Sequence, residues 1–121
     1  MNGNAKNILI VDDNPDICEV VKLILLKAGY HAKAVEHFEP FKPQEAPDLI
    51  LLDIRISEQD GTEICRQLKE AQDTCNIPII MFSASHEVEE AAFKAGADDF
   101  IAKPFQIKDL LWKIEHIKKA A

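Results

Sequence analysis

The sequence predicts an α/β fold: one parallel sheet of five strands with helices on both faces. Four short runs, NILIV (7–11), LILLD (49–53), PIIMF (78–82) and FIAK (100–103), are apolar without alternation, the pattern of strands buried on both faces. Segments of helical period separate them. At 121 residues the chain has the length of one domain and can bury about two-thirds of its unfolded surface. Right-handed crossovers between parallel strands leave few other topologies for this alternation.

The elements follow in order. After the first strand, Ile17, Val20, Val21, Ile24, Leu25 and Ala28 keep helical spacing, with Asn14 as N-cap, Pro15 at the first helical position and Gly29 as the stop. YHAKAV (30–35) alternates more than the other runs and reads as an edge strand. HFEPFKPQEAPD (37–48) carries three prolines where a crossover helix belongs, so the second helix is expected to be short or missing. The next helix opens at DGTE, where Asp60 and Glu63 have capping-box spacing, and turns Ile64, Leu68 and Ala71 inward. Another places Val88, Ala91, Ala92 and Ala95 on one face and stops at Gly96. The last uses Ile107, Leu110, Leu111 and Ile114. Trp112 falls off that stripe and is expected either on a partner surface or covering a helix seam. Leu23 and Leu26, off the first helix's stripe, mark either a contact or a broadly buried helix.

With 47% apolar and 29% charged residues, the composition is that of an ordinary globular protein. A net charge of -7 argues against nucleic-acid backbone or an anionic membrane as a direct partner. Cys18, Cys65 and Cys75 form no CxxC pair and read as reduced thiols of a cytoplasmic protein. No signal peptide and no run of roughly 18 apolar residues is present. A single domain over 1–121, its core at about 7–118, is expected, with no output domain.

In open α/β sheets, ligands gather outside the carboxyl ends of the strands. There the sequence places Asp12 and Asp13 after the first run, Asp53 at the end of LILLD, Ser83 after PIIMF and Lys103 at the end of FIAK. Adjacent carboxylates at a buried strand end repel unless a cation compensates them. Clustered hard oxygens suit Mg²⁺. Asp53 is then the carboxylate free to act as a nucleophile on phosphorus, while Lys103 and the Ser83 hydroxyl hold the added oxygens. The four histidines have no metal-ligand spacing, and His86 reads as a solvated first-turn residue.

Through ILIVDDNPD, PDLILLDI, DG, PIIMFSA and AGADDFIAKPF the chain resembles, from Ile8 to about Ile117, the receiver domains of two-component response regulators. The resemblance implies a flavodoxin-like strand order 2-1-3-4-5. It implies Asp53 as phosphoacceptor, with Asp13, Asp53 and the Arg55 carbonyl as direct Mg²⁺ ligands and Asp12 acting largely through water. It implies a switch formed by Ser83 and Phe100, and a cis peptide at Lys103–Pro104. The implied partners are a sensor histidine kinase or histidine phosphotransfer protein and a downstream protein target, with no direct nucleic acid and no membrane. Ser57 stands where the family usually has Pro, which loosens the loop 54–59, and Arg55 is placed to reach over the site. The shortened second helix removes surface near where family members dock the kinase's helical partner. Phe100, in place of a Tyr, lacks a hydroxyl that some members use at the output surface.

The expected function is a phosphorylation-activated switch that takes a phosphoryl group from a phosphohistidine donor, and not an enzyme acting on other substrates. A pseudo-receiver used only for interaction is disfavoured because every site position is filled. A haloacid-dehalogenase-like phosphohydrolase would carry an acid two residues after the nucleophile, where Arg55 stands. A nucleotide binder would need a phosphate loop in place of the acidic DDNPD.

Overall fold

The computed structural model describes residues 6–56 and 58–117. Five strands form one sheet: β1 (Asn7–Val11), β2 (His31–Val35), β3 (Leu49–Asp53), β6 (Ile79–Ser83) and β7 (Asp99–Ala102), in the order β2-β1-β3-β6-β7, every neighbouring pair parallel. Numbered among themselves these strands have the expected order 2-1-3-4-5, with the half-exposed β2 at the edge. The last two strands each lie one residue away from the apolar run that predicted them. A hairpin of two-residue strands, β4 (Arg55–Ile56) and β5 (Gln59–Asp60), follows β3 and was not expected.

Helices cover both faces. α1 (Pro15–Lys27) and α4 (Ile107–His116) press Cys18, Val21, Leu25, Leu110 and Ile114 against Ile8, Ile10, Leu49, Leu51, Ile80 and Phe82. On the other face α2 (Gly61–Glu70) and α3 (Glu89–Lys94) bring Ile64, Cys65, Leu68, Ala92 and Ala95 onto Val11, Ile50, Leu52, Met81 and Phe100. Every residue of β3 and β6 is buried, as their unbroken apolar runs require.

The Asn14 side chain caps α1 by accepting from the Asp16 and Ile17 amides, Pro15 opens the helix, and Gly29 follows its end at φ 97°, a conformation that costs other residues a Cβ clash. The prolines of 37–48 leave a single 3-10 turn, Pro43–Glu45, where the second crossover helix was expected to be short or missing. Asp60 caps α2 through the Thr62 amide, while Glu63, expected to complete a capping box, turns to Arg66 and Gln67. The third helix is shorter than its periodicity implied, a 3-10 turn at His86–Val88 leading into the six residues of α3.

Several positions assigned to inward stripes are exposed: Val20 on α1, Ala28 after it, Ala71 after α2, Ala91 on α3 and Ile107 on α4. The α1 stripe turns instead through Cys18. Leu23 and Leu26 are exposed, and Trp112, 58% exposed, stacks on the His116 ring at 4.0 Å between centroids. The expectations for Ser57 and for the His86 ring lie outside the described residues and side chains. Among the described residues no helix is long and apolar enough to cross a membrane.

Candidate functional site

The carboxyl ends of β1, β3, β6 and β7 meet at one rim of the sheet, because the parallel ladders set Val11 beside Leu52, Asp53 beside Phe82 and Ser83 beside Ala102. The polar residues that end or follow these strands, Asp12, Asp53, Ser83 and Lys103, converge there. Asp12 is fully buried and Asp53 nearly so. One oxygen from each of Asp12, Asp13 and Asp53 lies within 4.8 Å of the others.

Asp12 and Asp53 are oriented by the backbone around them. The Asp12 amide donates to the Val35 carbonyl, and Asp12 Oδ1 accepts from the Asn14 amide at 2.9 Å. The Cys18 thiol donates to the Asp12 carbonyl at 3.1 Å, so α1 steadies the acidic loop from beneath. Asp53 Oδ1 accepts from the Arg55 amide at 3.3 Å.

The second oxygens of Asp12 and Asp53 share one cation. Lys103 Nζ lies 2.8 Å from Asp12 Oδ2 and 3.2 Å from Asp53 Oδ2, and 4.6 Å from the centroid of the Phe82 ring beneath it. Its amide donates to the Ser83 carbonyl at 2.7 Å, and the peptide that follows, Lys103–Pro104, is cis as expected. Burial pushes the Asp53 carboxyl above the usual range, with the Asp12 charge adding to the rise and Lys103 opposing it. Burial pulls the Lys103 ammonium down, but its bonds to the two carboxylates outweigh that and leave it raised. Three carboxylates and one lysine thus meet at the site.

Hard carboxylate oxygens, a buried acid whose charge is incompletely offset, and ligand atoms in mutual reach fit a small divalent cation such as Mg²⁺. Ser83 is buried at the neighbouring strand end, its Oγ accepting from the Ser85 amide at 3.2 Å. Phe100 is buried in the core on the α2 and α3 face, paired with Met81 across β6 and β7. The Arg55 side chain is exposed. The expected residues thus collect around Asp53, apart from Phe100, which sits three residues back along β7. One contact was not foreseen: the Gln59 side chain accepts from and donates to the Phe38 backbone. No periodicity or motif marks a bond of that kind.

Comparison with known proteins agrees with this geometry. The family model for the response regulator receiver domain matches residues 8–115. The transcriptional regulatory protein GltR of Pseudomonas aeruginosa is 32% identical over the whole chain, which covers 52% of that protein. The DNA-binding dual master transcriptional regulator RpaA of Synechocystis is 35% identical over 88% of the chain and 46% of its own length. Among solved structures, the receiver domain of a signal transduction histidine kinase from Syntrophus aciditrophicus is 33% identical with a TM-score of 0.77, covering 92% of this chain and 88% of that one. The receiver domain of the Pseudomonas aeruginosa sensor histidine kinase PA1611, with magnesium coordinated in its active site cleft, is 26% identical with a TM-score of 0.80, covering 93% and 97%.

These relatives correct the expected partners. The chain spans about half the length of the curated relatives it matches, and those relatives are transcriptional regulators, one of them named as DNA-binding. A partner set confined to signalling proteins and without direct nucleic acid does not describe them. The net charge of -7 is that of this stretch alone, so it could exclude nucleic acid only for this stretch. The strand order, the acidic rim and the match over residues 8–115 lead to one family: the chain belongs to the response regulator receiver domains of two-component signal transduction.

Proposed function

We propose that the chain is a phosphorylation-activated switch in which Asp53 is the phosphoacceptor. The observation that carries this reading is the Lys103 ammonium held between the Asp12 and Asp53 carboxylates at the mouth of a three-acid cluster. Here a buried acid, two neighbouring carboxylates and a cation within reach of two of the three occupy one place.

Asp12, Asp13 and Asp53, with the Arg55 carbonyl, would hold Mg²⁺. When bound, the ion supplies positive charge that lets an anionic donor approach the carboxylates and offsets charge building on the phosphoryl oxygens. Asp53 Oδ attacks the donor's phosphorus, the O–P bond forms, and the bond from phosphorus to the donor breaks with its electron pair leaving on the donor. Lys103, the residue after β7, turns from the carboxylates to the new oxygens, and the Ser83 hydroxyl donates to another. Removal is the reverse in kind: water attacks phosphorus, the Asp53 carboxylate leaves and phosphate departs.

The switch would follow from the same contacts. The phosphoryl group is close to a dianion at neutral pH and replaces the single charge of the Asp53 carboxylate, drawing the Ser83 hydroxyl and Lys103 towards it. Ser83 and Phe100 lie on adjacent strands, Phe100 beside Met81 and two residues before the partner of Ser83. A shift of Ser83 would change the packing into which Phe100 fits, biasing a two-state element.

Incubation with Mg²⁺ and acetyl phosphate, followed by intact mass, tests the reading. The parent should gain one phosphoryl group only when Mg²⁺ is present, and Asp53→Asn should gain none. A folded parent that takes no phosphoryl group, and shows no response to beryllofluoride, would reduce the chain to an interaction module.

A further inference from the structure

The loop after Asp53 is held from outside by a side chain to which the proposed chemistry gives no role. Gln59, half-buried on β5, accepts from the Phe38 amide through Oε1 at 2.8 Å and donates through Nε2 to the Phe38 carbonyl at 3.0 Å. One side-chain amide thus makes both bonds that a paired strand residue would exchange with Phe38. It joins segments separated by 21 residues.

Both ends of this clasp lead somewhere. The Phe38 ring meets the Phe41 ring edge-on, 6.2 Å between centroids, and both pack on the core of the α2 and α3 face. At the other end Gln59 is paired with fully buried Ile56, and Arg55 with Asp60. The Arg55 amide in turn reaches Asp53 Oδ1. Prolines have removed the crossover helix that would brace this side of the sheet, leaving one 3-10 turn at Pro43–Glu45. A two-residue hairpin is too short to hold its own geometry.

We propose that Gln59 is a positioning residue for the metal and phosphoryl site. By gripping the anchored Phe38 backbone it fixes the β4–β5 hairpin, and with it the Arg55 main chain that flanks Asp53. The inference rests on the phosphoacceptor reading of that site. Mg²⁺ demands near-ideal octahedral geometry, so a loosened hairpin is read directly as weakened metal binding. Outer partners of metal ligands typically change affinity by tenfold or more.

Gln59→Met keeps the length of the side chain and removes both bonds, while Phe38→Ala keeps the backbone groups and removes the anchor. Calorimetric titration with Mg²⁺ alone should show binding weakened about tenfold in Gln59→Met. The Phe38 amide should exchange slowly in the parent and rapidly in that variant. If the two residues act as one unit, the double variant binds Mg²⁺ no more weakly than the worse single variant. Should Phe38→Ala fail to fold, the affinity and the Phe38 exchange rate of Gln59→Met decide the matter. A parent that binds Mg²⁺ beside a Gln59→Met variant of equal affinity overturns the inference and leaves the site standing. Fully additive effects overturn it as well. A parent that takes no Mg²⁺ overturns the site reading, and the inference with it.

Discussion

Gly61 lies against the main chain of Asp53: a Cβ on Gly61 would stand 2.1 Å from the Asp53 carbonyl oxygen and 2.8 Å from Ile54 Cα. The Gly61 amide also donates to the Ile54 carbonyl at 2.7 Å, so neither backbone can withdraw without losing a bond. The glycine is needed for close approach. Gly61→Ala should cost about 2 kcal/mol or more in denaturant unfolding, and should slow phosphoryl uptake because the chain that must move is the one carrying Asp53.

The shared lysine makes two substitutions behave oppositely in metal-free protein. Asp53→Asn removes a buried negative charge that faces Asp12 and should raise the thermal midpoint by a few degrees. Lys103→Met leaves two buried carboxylates without their cation and should cost about 3 kcal/mol. Adding Mg²⁺ should recover part of that loss, since a ligand that binds only the folded state stabilises it. Thermal scans with and without Mg²⁺ separate these outcomes.

Asp60 offers a test at the start of α2. Its carboxylate accepts from the Thr62 amide at 2.9 Å and the Thr62 hydroxyl at 2.7 Å, and these bonds hold its pKa below the ordinary carboxylate range. A depressed carboxyl stabilises the fold above its unfolded value, and the gain is lost as pH falls through the lower folded value. Asp60→Ala should therefore cost about 1 kcal/mol at neutral pH. In urea titrations the difference from the parent should shrink towards acid.

The cysteines should divide by accessibility. Cys18 and Cys65 are buried and Cys75 is half-exposed, all three as free thiols. Burial pushes the Cys65 thiol up to about 11 and raises Cys18 as well, which keeps both protonated and unreactive. Iodoacetamide at mildly alkaline pH should add one group to the native protein, at Cys75, and three after denaturation, read by mass.

The sheet and most of the rim were legible in the sequence because each strand buried on two faces must be apolar throughout. The first polar residue after each run then marks the rim, as Asp12, Asp53 and Ser83 show. Helix faces were read less well. Apolar residues at Val20 and Ile107 satisfy the helical period yet face solvent, since a helix buries only the arc its neighbours cover. The β4–β5 hairpin and the Gln59 clasp left no trace in the pattern, because a side-chain amide bonding a backbone 21 residues away depends on the assembled fold. The partners were misjudged for another reason: the charge of this chain says nothing of the half of its curated relatives that it does not match.

Peptide mapping after borohydride reduction addresses the phosphoacceptor itself. Protein treated with acetyl phosphate and Mg²⁺ is reduced, which converts an acyl phosphate to the corresponding alcohol, and then digested. Homoserine at position 53, absent without Mg²⁺ and absent from other aspartates, is the predicted result. Modification at Asp12 or Asp13 instead, or none in a protein that binds Mg²⁺, would contradict the assignment of Asp53 as the nucleophile.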